Sequence, residues 1–200
     1  MSVLRSELYR TLTIRSSWVS MAVAGSLGLV FGWFSDEFWA LFAGLGAFGV
    51  AVVIASQHYQ HRTAVLLFLG QPRRLRALAA QCVVAVLLTL AISAFSGLSQ
   101  FAGTAGGDRY VATLTVVPLV ALFGVANATV VRKPVWLLGG YAGWLIFVEG
   151  LIGRLESPLP FSSFLEAAGG DPLDLLTFAG WTVAALIAAA WSIRRDLNTD

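Results

Sequence analysis

The sequence predicts an all-α membrane protein: six transmembrane helices with both chain ends on the cytoplasmic side. Three observations carry that prediction. First, 58% of the 200 residues are hydrophobic and only 12% are charged, whereas soluble domains run near a quarter charged. One soluble core of this size could not enclose so much apolar surface. Second, six apolar runs approach or reach the roughly 20 residues a helix needs to cross a ~30 Å hydrocarbon layer. Third, eleven of the 13 basic residues fall in alternate connections, on one side of those six runs. Basic residues collect on the cytoplasmic side. The net charge of +2 is therefore no sign of a nucleic-acid partner, because position and not sum is what matters here.

Residues 1–17 come first. Val3, Leu4, Leu8, Leu12 and Ile14 alternate with Arg5, Glu7, Arg10 and Arg15, the pattern of an amphipathic helix lying at the cytoplasmic membrane surface. The first span covers residues 18–34 and is ended by Ser35, Asp36 and Glu37. Ala22-Val23-Ala24 loosely resembles a leader cleavage site, but the apolar run continues past it, so a retained helix is expected. The second span is 38–56. Gly25, Gly28 and Gly32 in the first span and Gly44, Gly46 and Gly49 in the second predict close helix contacts.

Residues 57–76 form the largest cytoplasmic connection. Its apolar stretch, Ala64 to Leu69, is too short to span, and Gly70 and Pro72 break the chain before Arg73, Arg74 and Arg76. Two roles fit a short helix so placed: docking on a soluble partner, or contact with anionic lipid. The third span, 77–98, contains Cys82, the only cysteine. An intrachain disulfide is therefore impossible, and a buried small hydrophobe is the expected role. The fourth span, 111–131, carries Asn127, which can hydrogen-bond across helices.

The fifth span, 135–153, holds Glu149, the one acid well inside an apolar run. Burying a carboxylate in a membrane is costly, so such a residue marks either a site of function or a fixed structural contact. A role in passage or gating competes here with a pairing to Arg154 or a contact that pins the next segment. Residues 154–174, with Pro158, Pro160, Phe161, Phe164, Leu165 and Pro172, are too apolar for a free loop and too broken for a span. A pair of short helices dipping back from the outer face is expected, because irregular backbone must there be covered by protein. The sixth span, 175–193, ends at Arg194 and Arg195. Trp33, Trp39, Trp136 and Trp144 lie near span ends, where interfacial anchoring is the ordinary role.

Several chemistries have no motif in the chain. There is no G-x-x-x-x-G-K-[ST] phosphate loop, no H-E-x-x-H zinc motif and no G-x-S-x-G elbow. His58 and His61 are three apart, but no Cys, Asp or Glu lies near them to complete a metal site. No catalytic residue, cofactor or metal is assigned.

Taken together, the run of elements resembles a permease subunit of the bacterial type-2 ABC exporter superfamily over nearly the whole chain. Residues 1–17 match that family's cytoplasmic elbow helix, with Leu4, Glu7, Leu8 and Arg15 as its marked positions. His58, Tyr59, Gln60 and Thr63, then the short helix, then Pro72 and Arg74, follow the order of its coupling region. Pro158-Leu159-Pro160-Phe161 matches its re-entrant hairpin, and Arg194-Arg195-Asp196 its basic ending. His58 stands where an acid is common, Gln60 replaces a base, and Gln81 stands where a lysine is frequent.

The resemblance implies one permease domain over 1–200, with elbow 1–17, coupling loop 57–76 and outer re-entrant segment 154–174. It implies a second permease chain, identical or similar, and a separate ATPase subunit that holds ATP and Mg. The ATPase would meet Tyr59, Thr63, Leu66, Leu67, Phe68, Leu69, Pro72 and Arg74. Glu149, Pro160, Phe161 and Phe164 are the candidates for a pathway or gate. The cargo class is amphipathic: a drug, peptide or lipid-like molecule leaving through the bacterial plasma membrane. Two rivals are a proton-coupled secondary transporter working through Glu149 and a membrane scaffold or regulatory subunit. The first would need more intramembrane titratable groups than the chain offers.

Overall fold

A computed structural model describes residues 3–60, 74–102, 107–154 and 157–195. Apolar runs in lipid must pair every backbone group internally, which selects helices, and every long apolar run is helical. The elements are α1 (Val3–Thr13), α2 (Arg15–Gly32), α3 (Asp36–Gln60), α4 (Arg74–Ser96), a 3-10 stretch (Gly97–Ala102), α5 (Gly107–Val131) and α6 (Pro134–Gly143). Helix α6 continues as a π-helical segment (Trp144–Ile152), followed by α7 (Pro160–Ala168) and α8 (Pro172–Arg195).

Five helical spans are long and apolar enough to cross a membrane: those of α3, α4, α5, α6 with its π-helical continuation, and α8. A sixth is counted if α1 and α2 form one span bent by 77°. The coarse architecture is that of a multi-pass membrane protein. The bend falls at Ile14, whose extended backbone (φ −82°, ψ 125°) breaks the helix.

Helices α3 and α5 form the centre. Helix α3 packs against α2, α4 and α5, and α5 also packs against α7 and α8. Small residues allow the approach: a Cβ on Gly46 would press on Ala24, and one on Gly124 would meet Ala51 and the Phe48 carbonyl. Gly28 lies against Ser96 and Gly44 against the Phe164 ring, whereas Gly25 has only an ordinary contact with Ile92 and Gly49 faces open space. The expected glycine contacts thus hold at Gly28, Gly44 and Gly46.

The two ends of the bundle differ in chemistry. At one end Arg109 at the start of α5 reaches Asp36 (3.7 Å) and Glu37 (3.3 Å) at the start of α3. There Gln100 donates to the carbonyl of Gly32 (2.8 Å), satisfying one of the orphan acceptors at the end of α2. At the opposite end lie α1 with Arg5 and Arg10, the α1–α2 bend with Arg15, and the start of α4. That arrangement matches the alternation read from the sequence.

Three expectations change in detail. Trp39 is not an interfacial anchor: it is fully buried, donates to Ser96 Oγ (3.3 Å) and stacks on Tyr110 at 5.3 Å. Its indole fills the space that Gly97 leaves open. Among the described residues, the outer segment holds one short helix, α7, and not a pair. The π-helical continuation of α6 ends just before it and belongs to the preceding span. The face of α1 is also inverted relative to a helix on a soluble protein. Glu7 and Thr11 are buried, while Leu4 and Leu12 are 40% and 39% exposed.

Candidate functional site

Two polar clusters stand out in a chain this apolar. The first lies at the α1–α2 bend. Helix α1 packs against α4, Glu7 pairs with Arg10 at 2.5 Å, and Thr11 Oγ1 donates to the Glu7 carbonyl. Gln57, one turn before the end of α3, donates from Nε2 to Ser16 Oγ (3.1 Å) and Ser17 Oγ (2.7 Å). Both Ser17 and Gln57 are buried. The inverted face of α1 follows: Glu7 and Thr11 find partners inside the protein, and Leu4 and Leu12 face outward, which costs nothing where the surroundings are hydrocarbon.

Tyr59 and Arg74 lie in the backbone of α3 and α4. Thr63, Leu66, Leu67, Phe68, Leu69, Pro72 and His61 lie outside the described residues. The bend and the two helix ends that flank this stretch are therefore seen, and the candidate short helix is not. Of the four elbow positions, Glu7 points into the bundle, Leu8 is half-buried, and Leu4 and Arg15 are exposed.

The second cluster surrounds Glu149, which is fully buried. Its Oε1 accepts from Trp144 Nε1 (2.8 Å) and the Phe161 backbone N–H (3.2 Å). Its Oε2 accepts from the Ser162 N–H (2.6 Å) and the Ser162 hydroxyl (2.8 Å). Local geometry explains both halves. A π-helix has a wider turn than an α-helix, with i→i+5 bonding, so Trp144 and Glu149, five apart, come to one side. Helix α7 begins with Pro160 after Leu159, which offers no side-chain cap. The orphan N–H groups of its first turn must then be satisfied from elsewhere. Glu149 supplies the missing cap across 12 and 13 residues, at the end of the helix where the macrodipole favours a negative group.

Glu149, Phe161 and the adjacent Pro160 are therefore brought together. Phe164 sits one turn further into α7, 2% exposed and against Gly44 of α3. The pin to the outer segment exists. Among the described residues, Glu149 makes no ion pair with Arg154, which is exposed and turned into the left-handed region (φ 50°).

Sequence reasoning missed three participants. Tyr141 donates to Asn127 Oδ1 (2.8 Å), tying α6 to α5, while Asn127 Nδ2 donates to Phe123 of its own helix. Trp181 of α8 donates to the Pro158 carbonyl (3.1 Å), and Ser162 completes the cap. The missing local cap before Pro160 was the readable signal for Ser162. Nothing in the spacing pointed to Tyr141 or Trp181.

A cavity of about 500 Å³ lies between α5, α6 and α8, lined by Asn127, Trp136, Gly140, Tyr141, Trp144 and Trp181 among others. A smaller one of about 330 Å³ lies on the other side of α6, against Phe48 of α3 and Phe161. No group of three metal-ligating side chains occurs among the described residues. No protein-family model matches the chain, and neither does any curated protein.

Proposed function

We propose that the chain is the transmembrane permease subunit of an ATP-driven ABC exporter, acting with a second permease copy and a separate ATPase. The observation that carries this reading is the 77° bend between α1 and α2, locked by Gln57 to the end of α3. Helix α1 packs against α4, and α3 packs against both α2 and α4. A force applied to the 61–73 stretch passes to α3 and α4, and from the end of α3 to the start of α2, because Gln57 is bonded there to Ser16 and Ser17. The chain is then a lever with no covalent step of its own. ATP and Mg belong to the partner, consistent with the lack of a phosphate loop in the sequence.

The arginine-rich end is cytoplasmic in this reading, and the membrane is the bacterial plasma membrane. The ATPase docks on Tyr59, Thr63, Leu66 to Leu69, Pro72 and Arg74. The second copy covers α6, where Gly139 and Gly143, four apart, both face open space; a small-xxx-small pair is a common helix-contact surface. The cargo is amphipathic: a drug, peptide or lipid-like molecule.

The geometry of Glu149 weighs against the proton-coupled alternative. Four donors hold its two oxygens in place, and among the described residues no second carboxyl or imidazole stands beside it to continue a relay. The test is purification of the tagged chain from its native membrane, with transport assayed in vesicles. A soluble ATPase should co-purify in fixed ratio and be lost in Leu67→Asp/Phe68→Asp, and transport should require ATP. Transport that survives ATP removal but collapses with the proton gradient would overturn the proposal.

A further inference from the structure

We infer that the basic end shared by α5 and α8 is a binding site for the phosphate head group of an anionic membrane lipid. The inference stands on four cations placed at the ends of two spans, and it holds for a transporter and a scaffold alike.

Two separate parts of the chain supply the cations: Arg132 and Lys133 directly after α5, and Arg194 and Arg195 in the last turn of α8. The fold brings them to one level. Helix α5 starts beside Arg109, and Arg109 Nη2 lies 3.4 Å from where a Cβ on Gly169 would stand, in the turn before α8. Both helices therefore start at the acidic end. They have 25 and 24 residues, which is about 37 and 36 Å of helix. They pack against each other, with Thr182 Oγ1 reaching the Leu119 carbonyl about midway (3.5 Å). Their last turns finish side by side at the arginine-rich end.

The chemistry of this end suits a phosphate at the membrane surface. Lys133, Arg194 and Arg195 are exposed. Trp136 stands three residues after Lys133 and Trp191 three before Arg194; they are 76% and 58% exposed, and such indoles collect at head-group level. The Arg195 guanidinium lies over the Trp191 ring at 4.1 Å, which keeps that charge at the same level. Arg132 has φ 59°, directly after the last residue of α5, where glycine is usual because the left-handed region strains a side chain. A chain with 20 glycines keeps an arginine there at a cost to its backbone. The two helix dipoles offset only about half a charge each, and Asp196 and Asp200 follow in the sequence; four cations exceed them together. Basic pockets between span ends hold anionic head groups, because guanidinium groups bind phosphate oxygens through charge-assisted hydrogen bonds. A zwitterionic head group carries its own ammonium and gains less.

The experiment titrates the purified full chain in neutral detergent with phosphatidylglycerol or phosphatidylcholine and counts bound lipid by native mass spectrometry. Phosphatidylglycerol should bind more tightly, and its binding should weaken with added salt. Lys133→Gln/Arg194→Gln should cut its affinity about tenfold, equivalent to about 1.4 kcal/mol. Lys133→Arg/Arg194→Lys, which keeps the charge, should bind as the parent does. Arg15→Gln/Arg76→Gln removes the same charge from exposed positions at the α1–α2 bend and the start of α4 and should leave the affinity nearly unchanged. Equal losses in the two glutamine pairs would overturn the inference, because net charge alone would then be the cause. Equal affinity for the two lipids would overturn it too, as would full displacement by soluble glycerol phosphate, which would make free phosphate the ligand. Those last two readings use the unaltered chain and do not depend on any variant folding.

Discussion

Helices α3 and α5 differ from α6 and α8 in one respect above all. In the apolar windows of α3 and α5, 61% and 56% of residues are buried. In those of α6 with its π-helical continuation and of α8, the shares are 11% and 17%. All four are apolar enough to span a membrane, so hydrophobicity does not distinguish them. Their glycines do. Gly44 and Gly46 of α3 and Gly124 of α5 are pressed by neighbouring atoms, whereas Gly139, Gly140 and Gly143 of α6 face open space. The same residue type is used for packing in the centre and left unused by this chain at the rim. In lipid an exposed apolar face carries no penalty, so low burial marks surface available to lipid, to another copy or to cargo.

The strongest break in this comparison is at Glu149, where the rim is fastened to the centre. Glu149→Ala leaves two buried backbone N–H donors, the Ser162 hydroxyl and the half-buried Trp144 indole without their acceptor. At about 1–3 kcal/mol each, the expected loss is roughly 3 kcal/mol or more, measured by denaturant unfolding in mixed micelles. Glu149→Gln keeps one acceptor oxygen and should fall between. A loss near zero for alanine would mean that α7 is held by its apolar contacts alone.

Steric substitutions come next. Gly44→Leu drives a side chain into the Phe164 ring, and overpacking of this kind costs about 1–3 kcal/mol. Gly139→Leu should change the stability of the single chain by no more than about 0.5 kcal/mol, as substitutions at open positions do. Equal effects at the two sites would erase the distinction between centre and rim. Tyr141→Phe is smaller again. It removes the Tyr141–Asn127 hydrogen bond that ties α6 to α5, and intramembrane bonds average about 0.6 kcal/mol.

Much of the coarse fold was legible because the bilayer imposes so few solutions. Apolar run length fixed the spans, and the arginines fixed which connections share a side. The pairing of Arg109 with Asp36 and Glu37 agrees with that alternation. What escaped was tertiary. Trp39 has the sequence address of an interfacial anchor, yet the gap at Gly97 admits its ring. The polar face of α1 reads as solvent-facing, but Glu7 and Thr11 turn inward because the surroundings reverse the usual preference. The capping role of Glu149 needed a partner a dozen residues away and a π-helical turn to align Trp144 with it. Only the bare start of α7 at Leu159-Pro160 hinted that a cap had to arrive from elsewhere.

The rim as an interface is the claim on which the exporter reading leans most, and it can be tested directly. In a Cys82→Ala background, Gly143→Cys places a single thiol on the open face of α6. Mild oxidation in native membranes should give a covalent dimer, while Gly180→Cys on α8 should stay monomeric. If Gly143→Cys remains monomeric and is freely alkylated by a membrane-permeant reagent, no second copy covers α6, and the proposed pairing is wrong.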